Sequence, residues 1–230
     1  MVELVTPRWN HNIEYHRLVL DAVPTGARTA LDVGTGDGLL ARDLHQIVPD
    51  VTAIDVDADV LGRARAEAPD VHWVLGDALT HPFEPEGFDV VASIAVLHHF
   101  PDPEAALRRL AGLTAPGGLL AVVGLARSTT PLDFGYDLAG TAQHQYLSRR
   151  RGFWDHTAPT VWPPAHSYRE IRSTAAPGVV GRPMAPAAPV ALRPALAQAL
   201  SHQSRVEPWM TWPFVKLREH MAAEPDEAHR

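Results

Sequence analysis

The sequence ALDVGTGDGL, residues 30–39, joins an apolar run to a glycine-rich turn. Its first four residues are typical of a buried strand, and a stretch with helical periodicity follows the alternating glycines Gly34, Gly36 and Gly38. Because glycine has no Cβ atom, such a turn lets a ligand approach the backbone at the carboxyl end of a strand, where open α/β sheets bind their ligands. The alternative is a tight turn between strand and helix that binds nothing.

On either side of this turn, short apolar runs alternate with stretches of helical periodicity, as a parallel sheet with crossover helices requires. The apolar runs suit strands that are covered on both faces. We also predict an N-terminal helix ending near Pro24, a helix after the glycine turn, and a helix that begins after its cap Asp102. The fold class is therefore α/β, with a mostly parallel central sheet and helices on both faces. The five predicted strands are residues 30–33, 51–55, 71–75, 88–93 and 119–125.

Composition narrows the classes of function. The formal charge of −7 argues against a nucleic-acid groove, which depends on clustered Lys and Arg, and the basic run 149–151 is interpreted as a solvated segment. The chain has no cysteine and no H-E-x-x-H pattern, so no metal site is predicted. No apolar stretch near the start resembles a secretory signal or a membrane span. We therefore expect a cytoplasmic protein that binds neither nucleic acid nor membrane.

Carboxylates surround the glycine turn at three predicted strand ends. Asp32 and Asp37 flank the turn, Asp55 ends the second strand, and Asp77 follows the third. Asp55 can accept hydrogen bonds from both hydroxyls of a ribose, and Asp77 can accept one from an adenine amino group. Each acid alone is as readily a helix cap or a solvated loop residue. Acids at successive strand ends favour a nucleoside ligand.

A nicotinamide dinucleotide is the main alternative ligand. Its G-x-G-x-x-G fingerprint would need a third glycine at position 39, which is Leu39. Asp32 and Asp37 would also repel a pyrophosphate, whereas a ligand with a cationic amine and a sulfonium suits the loop. The sequence contains no Tyr-x-x-x-Lys pair. It therefore favours S-adenosylmethionine (AdoMet), and an NAD(P)-dependent oxidoreductase is the alternative.

Five motifs in order resemble the class I AdoMet-dependent methyltransferases, in particular the small-molecule enzymes of the type 11/25 group. The resemblance implies a Rossmann-like core at residues 29–127. It also implies an N-terminal helix at 1–28 that covers the cofactor, and an acceptor-side insert with an atypical C-terminal segment at 128–230. The motifs are LDVGTGDG at 31–38, AIDVD at 53–57, GDA at 76–78, FDVVASIAVLHHF at 88–100 and LTAPGGLLAVVGL at 113–125.

The same resemblance implies the cofactor site. The glycines would lie against the methionine and ribose portions, with Asp32 fixing the loop or the amino group. Asp55 would hold the ribose diol and Val56 the adenine face, and the product would be S-adenosylhomocysteine (AdoHcy). The implied AdoMet-binding residues are Tyr15, Asp32, Gly34, Thr35, Gly36, Gly38, Asp55, Val56, Asp77, Ala78, Ser93 and Ile94.

Methyl transfer from a sulfonium is an in-line displacement, so the protein chiefly aligns the nucleophile and excludes water. A base helps where the acceptor is a hydroxyl or a carbon acid, and the candidate catalytic residues are His98, His99 and His16. Structural packing is the alternative role for each of them. The predicted function is methyl transfer to the O, N or C nucleophile of a small molecule. A binding protein without turnover is a further alternative, and the sequence does not indicate an oligomeric state.

The last hundred residues depart from the family pattern. Relatives usually add an antiparallel pair of strands after a helix resembling residues 167–172, but prolines between 183 and 194 disfavour a central strand there. Either the chain caps its sheet differently or the tail departs from the ancestral reading frame. In the insert at 126–166, five aromatic residues line an acceptor pocket or form a small hydrophobic core. They are Phe134, Tyr136, Phe153, Trp154 and Trp162.

Overall fold

The computed structural model describes residues 11–151, 164–167, 169–171 and 214–219 of the chain. Its strands are β1 Thr29–Val33, β2 Asp50–Asp55, β3 His72–Leu75, β4 Phe88–Ile94, β5 Thr114–Gly124 and β6 Phe214–Glu219. Its helices are α1 His11–Ala22, α2 Leu39–His45, α3 Ala58–Glu67, α4 Pro103–Leu113 and α5 Pro131–Arg151, with a 3₁₀ turn at Leu97–His99.

The strands form one sheet in the order β3-β2-β1-β4-β5-β6. Strands β1 to β5 are parallel, and β6 pairs antiparallel with β5. The strand order reverses at β1, which has β2 on one side and β4 on the other. Because ligands of open α/β sheets bind beyond the carboxyl ends at such a reversal, this topology places the glycine turn after β1 at the expected site.

All five predicted strands are present, but β5 begins at Thr114 rather than at Leu119. Thr114 pairs with Phe88 and Leu119 pairs with Val90, so the predicted turn at 115–118 is an irregularity inside the strand pairing rather than a connection before it. A Cβ atom on Gly118 would lie 2.7 Å from the carbonyl oxygen of Asp89, which explains the need for glycine at that point.

Two hydrophobic clusters cover the two faces of the sheet, as the sequence predicts. On one face, α4 packs its buried leucines, with Leu97 and Ile171, against alternate side chains of the central strands. On the other face, α1 and α2 pack against the remaining strand residues. A parallel sheet buried on both faces needs the nearly continuous apolar strands that the sequence shows.

The helices begin and end where local chemistry requires. The side chain of Asp102 accepts hydrogen bonds from the backbone N–H groups of Glu104 and Ala105, which confirms it as the cap of α4. Asp57 caps α3 in the same way. Helix α1 ends at Ala22, just before Pro24, as predicted.

The C-terminal half is described only in part. Ser167 and Glu170 bond reciprocally through side chain and backbone, a capping box that opens the helical turn at residues 169–171 within the predicted segment. The sequence did not predict β6. The proline-rich stretch at 183–194 and the aromatic residues Phe153, Trp154 and Trp162 lie outside the described residues.

Candidate cofactor and active site

The glycine turn has the backbone conformation that its sequence predicts. Gly34, Gly36 and Gly38 have φ angles of 68°, 54° and 73°, a region that favours glycine. The N–H groups of Gly34 and Thr35 both donate to the carbonyl oxygen of Ile54, at 2.9 and 3.2 Å. The turn is therefore fixed to the end of β2 and leads directly into α2.

Two side chains approach the turn so closely that they require glycine. A Cβ atom on Gly34 would lie 2.3 Å from a methyl carbon of Val96, and one on Gly38 would lie 2.3 Å from the ring of Trp73. Val96 precedes the 3₁₀ turn that carries His98 and His99. The absence of Cβ atoms thus lets the glycine turn pack against the segment that holds the candidate catalytic histidines.

Asp55 lies at the end of β2 beside the turn. Its Oδ2 accepts a hydrogen bond from the Gly36 N–H at 2.9 Å, and its Oδ1 accepts one from the Asp57 N–H at 3.0 Å. Each carboxylate oxygen has a second lone pair, so Asp55 retains two acceptor positions for a ligand. This geometry suits the two hydroxyls of a ribose.

Asp32 lies beneath the turn with only 2% of its surface exposed. Burial raises the pKa of Asp32 to about 6, against the opposing effects of the Thr35 hydrogen bond and the field of His16. The Thr35 hydroxyl donates to Asp32 Oδ2 at 2.6 Å. The protein therefore stabilises the charged form of the Asp32 carboxyl group less well than water would.

The rim expected for an adenine combines apolar and polar groups. Val56, which follows β2, is 72% exposed, and Leu75, at the end of β3, is 57% exposed. Asp77 is exposed and accepts a hydrogen bond from the Leu79 N–H at 2.9 Å, while Ala78 is buried. Exposed apolar side chains beside an acid at adjacent strand ends are suited to the face and edge of a purine.

Of the remaining implied cofactor residues, Ser93 and Ile94 end β4, and Tyr15 lies on α1. Ser93 is fully buried and its hydroxyl has no hydrogen-bond partner. Tyr15 of α1 packs with Val123 of β5 and Ile94. The N-terminal helix therefore reaches the carboxyl ends of β4 and β5, where the resemblance implies the methionine portion of the cofactor.

His98 and His99 are adjacent rings with centroids 4.2 Å apart. His98 is 6% exposed, and its Nδ1 has no hydrogen-bond partner. Burial, and then the neighbouring His99, lower the pKa of His98 to about 4. Burial also lowers the pKa of His99, while the field of Asp55 opposes that shift. Both imidazoles are therefore neutral at pH 7, the form that accepts a proton.

His16 has different surroundings from the other two candidates. Its Nδ1 lies 2.7 Å from Asp43 Oδ2, and the two residues are 4% and 3% exposed. The pair joins α1 to α2 below the glycine turn. Asp43 is not among the residues predicted from the sequence, although an acid on the apolar side of α2, between Leu40 and Leu44, indicates a buried polar partner.

Two further observations concern metal sites and membrane-spanning helices among the described residues. They contain no group of three or more His, Asp or Glu side chains that could hold a metal ion. None of the described helices has both the length and the apolar character needed to span a bilayer.

Comparison with known proteins assigns the family. Residues 31–122 match a methyltransferase domain. An uncharacterized methyltransferase of Mycobacterium tuberculosis is 45% identical over 169 residues, which are 72% of this chain and 84% of the relative. The demethylmenaquinone methyltransferase of Roseiflexus castenholzii is 36% identical over 116 residues, about half of each protein (48% and 48%).

The fold agrees with this assignment. The solved structure of the YcgJ protein of Bacillus subtilis matches with a TM-score of 0.52 at 20% identity, over 71% of this chain and 66% of that one. The fold is that of an α/β protein with a glycine turn at the carboxyl end of its central sheet. The chain belongs to the class I AdoMet-dependent methyltransferase family and is a methyltransferase.

Proposed function

We propose that this enzyme binds AdoMet at the glycine turn and transfers its methyl group to the O, N or C nucleophile of a small molecule, leaving AdoHcy. The observation that carries the proposal is Asp55. Its two oxygens hold the Gly36 and Asp57 backbone and still have lone pairs for a ribose diol. The proposed cofactor site comprises all twelve residues that the family resemblance implies.

The charge of the site supports a cationic ligand. Asp32, Asp37 and Asp55 surround the turn, and a buried carboxylate is stabilised when a positive charge comes within a few ångströms. AdoMet brings an ammonium and a sulfonium, whereas a dinucleotide brings a pyrophosphate. This difference and the family membership favour AdoMet over NAD(P).

Within this function, we assign His99 as the base for acceptors that must lose a proton. His99 is exposed, and the field of Asp55 partly offsets the lowering of its pKa by burial. His98 has the more strongly lowered pKa and is a weaker base, so its unpartnered Nδ1 is better suited to hydrogen-bonding the acceptor. AdoMet supplies the electrophilic methyl carbon when it is bound, and the protein orients the acceptor and excludes water.

The cofactor proposal is tested by titration calorimetry of the full chain with AdoMet, AdoHcy and NAD. We expect AdoMet and AdoHcy to bind and NAD not to bind. Asp55→Asn should weaken both nucleosides by about tenfold to a hundredfold, because a charge-assisted bond to the ribose is lost. Asp59→Asn is the matched control, since it makes the same chemical change on an exposed part of α3. Binding of NAD with no binding of AdoHcy would overturn the proposal.

The acceptor is tested by measuring AdoHcy production with panels of phenols, amines and carbon acids. Hydroxylated and methyl-deficient quinones belong in the first panel, because the Roseiflexus relative is a demethylmenaquinone methyltransferase. Turnover with any small molecule supports an enzyme of this class. Binding of AdoMet without turnover across all the panels would contradict the proposed small-molecule acceptor.

A further inference from the structure

The segment that joins β4 to the 3₁₀ turn contains a strained residue. Ala95 has a φ of 59°, a left-handed backbone conformation that is costly for a residue with a Cβ atom. Its N–H donates to the carbonyl oxygen of Val123 at 2.6 Å, at the last pair that β4 and β5 form. Such a conformation persists only where the surrounding contacts impose it. The contacts around Ala95 therefore decide where the next residues lie.

Two glycines receive the side chains of the residues after Ala95. Val96 packs on the glycine turn, since a Cβ atom on Gly34 would lie 2.3, 2.7 and 3.0 Å from three of its side-chain carbons. Leu97 packs on the end of β5, since a Cβ atom on Gly124 would lie 3.2 Å from the Leu97 Cβ. The two side chains thus fix the segment against the turn after β1 and against β5.

The backbone of this segment carries the histidine pair. The Val96 carbonyl accepts the His99 N–H at 2.8 Å, and the Leu97 carbonyl accepts the Phe100 N–H at 3.3 Å. Val96 therefore contacts the glycine turn through its side chain and His99 through its carbonyl oxygen. Leu97 is 1% exposed and belongs to the core, whereas Val96 is only partly buried. A substitution at Val96 can therefore remove its contact without opening the core.

We propose that Val96 is a positioning residue: its contact with Gly34 holds the strained backbone of Ala95 and so places His98 and His99 beside the glycine turn. This inference rests on the proposed function, in which AdoMet lies on that turn and His99 accepts the proton of the acceptor. Without the contact, Ala95 returns to an ordinary φ angle, and the backbone that follows it changes direction together with both imidazoles. Val96 thereby joins the cofactor turn to the base.

The variant Val96→Ala removes the contact, and the ring of His98 shows whether the segment has moved. His98 is 6% exposed, and burial lowers its pKa to about 4. In the wild-type protein its NMR signal, assigned by its loss in His98→Gln, should therefore not titrate between about pH 8 and about pH 5.5. In Val96→Ala we expect the ring to regain water and its pKa to rise toward the usual 6.5, so that the signal titrates within that range.

A second substitution, Ala95→Gly, separates strain from packing, because glycine adopts a φ of 59° without a steric cost. In the double variant Ala95→Gly/Val96→Ala, His98 should again not titrate in this range, although the methyl groups of Val96 are still missing. A lost packing contact alone would not be repaired in this way. A double variant in which His98 titrates would overturn the proposal, and so would a Val96→Ala protein in which it does not.

The matched control is Val23→Ala. Val23 is also partly buried, but it lies before β1 and packs in the hydrophobic cluster of α1 and α2. This variant should leave the His98 signal as it is in the wild type. If Val96→Ala does not fold, the double variant should still fold, because it has no strain at position 95. Failure of both to fold would mean that Val96 supports the fold as a whole, which contradicts the assigned role.

Kinetics provide a second measurement. With an acceptor that must lose a proton, Val96→Ala should lower kcat by about tenfold or more and change the KM for AdoMet by less than about threefold, because the base is displaced while Asp55 and the glycine turn remain. An unchanged kcat would also reject the proposal. The NMR titration uses the free protein and does not depend on the cofactor. If the wild type does not bind AdoHcy, the proposed function is wrong. If it binds AdoHcy and His98 behaves alike in all the variants, only the role of Val96 is wrong.

Discussion

Asp32 combines a proposed role in binding with a cost to the stability of the free protein. The fold places this carboxyl group in a buried position where its pKa is raised to about 6. Above that pH the protein without ligand holds a charge that water would solvate better. A bound ammonium group would stabilise the same charge. The free energy lost by burying the carboxylate in the free protein would then be recovered when the ligand binds.

Replacing Asp32 with asparagine should therefore stabilise the free protein in a pH-dependent manner. Because the pKa is higher in the folded state, the folded state binds more protons than the unfolded chain between about pH 4 and 6, and wild-type stability falls as pH rises through that window. We expect the advantage of Asp32→Asn to grow from pH 5 to pH 8, to about 3 kcal/mol at most. Urea unfolding at both pH values measures it.

Asp59→Asn is the control for this change, because it makes the same substitution at an exposed position of α3. The same Asp32→Asn protein should bind AdoHcy more weakly than wild type. A variant that is less stable than wild type at pH 8 would contradict the assigned burial cost.

The two adjacent histidines give a second prediction at this scale. A base must be neutral to accept a proton, and the pKa of His99 lies below its usual value of 6.5. With saturating AdoMet and an acceptor that must lose a proton, the fall of kcat on acidification should therefore be centred below pH 6.5. His99→Ala should lower kcat by about a hundredfold with little change in AdoMet affinity. A decline already centred at or above pH 6.5 would argue against His99.

Residue-level prediction from the sequence succeeded where the signal is local. The glycines and Asp55 follow directly from a strand-turn-helix pattern, and the structure gives them the conformation and contacts that this pattern requires. The pairing of His16 with Asp43 joins residues 27 positions apart and depends on how α1 docks on α2. No local pattern encodes that distance, so the sequence could not distinguish a catalytic His16 from a buried one.

At the scale of elements, the contact between the glycine turn and the 3₁₀ turn is the feature most sensitive to change. Gly34→Ala would place a methyl group 2.3 Å from Val96 on a residue with φ of 68°. We expect a loss of about 2 to 4 kcal/mol in the free energy of unfolding, from strain and steric overlap together. Urea unfolding of the variant gives this value directly.

A matched pair of variants separates the two causes. Gly34→Ala combined with Val96→Ala removes the methyl contact but retains the positive φ, so it should recover only part of the loss. Gly62→Ala adds the same methyl group in α3, where nothing lies within 4 Å, and should stabilise the protein by about 0.5 to 1 kcal/mol. A Gly34→Ala protein as stable as Gly62→Ala would contradict this account of the turn.

The elements that the sequence predicted best are the strands that are buried on both faces of the sheet. Strands β1, β2 and β4 are apolar because both faces are covered, and the predicted bounds of β1 to β4 agree with the structure within one residue. The predicted start of β5 was wrong because the proline and glycines at 116–118 indicate a turn. In the structure the strand continues through this stretch in an irregular pairing with β4. Strand β6 was missed because its partner, β5, is nearly a hundred residues away.

At the scale of the whole molecule, the three-layer arrangement brings the candidate site together from four strand ends. The glycine turn follows β1, Asp55 ends β2, Asp77 follows β3 and the histidines follow β4. Sheet topology alone makes these segments neighbours, which is why the sequence could predict that these residues gather at one edge of the sheet. The predicted acceptor pocket would need contacts between aromatic residues that are far apart along the segment after β5, where helix α5 leaves Phe134 and Leu138 exposed. Such contacts have no periodic signature.

Because the cofactor would contact all of these segments, its binding should stabilise the molecule as a whole. A ligand that binds only the folded state adds RT ln(1 + [L]/Kd), about 2.7 kcal/mol at one hundred times Kd. For a chain of 230 residues this corresponds to a rise in Tm of about 5 to 10 °C.

We expect AdoHcy to produce that rise in a thermal melt and to slow hydrogen exchange in α1 and in the glycine turn, since both border the proposed ligand. NAD at the same concentration should do neither, and Asp55→Asn should need a higher AdoHcy concentration for the same shift. Stabilisation by AdoHcy without protection of α1 would mean that the N-terminal helix does not take part in the cofactor site.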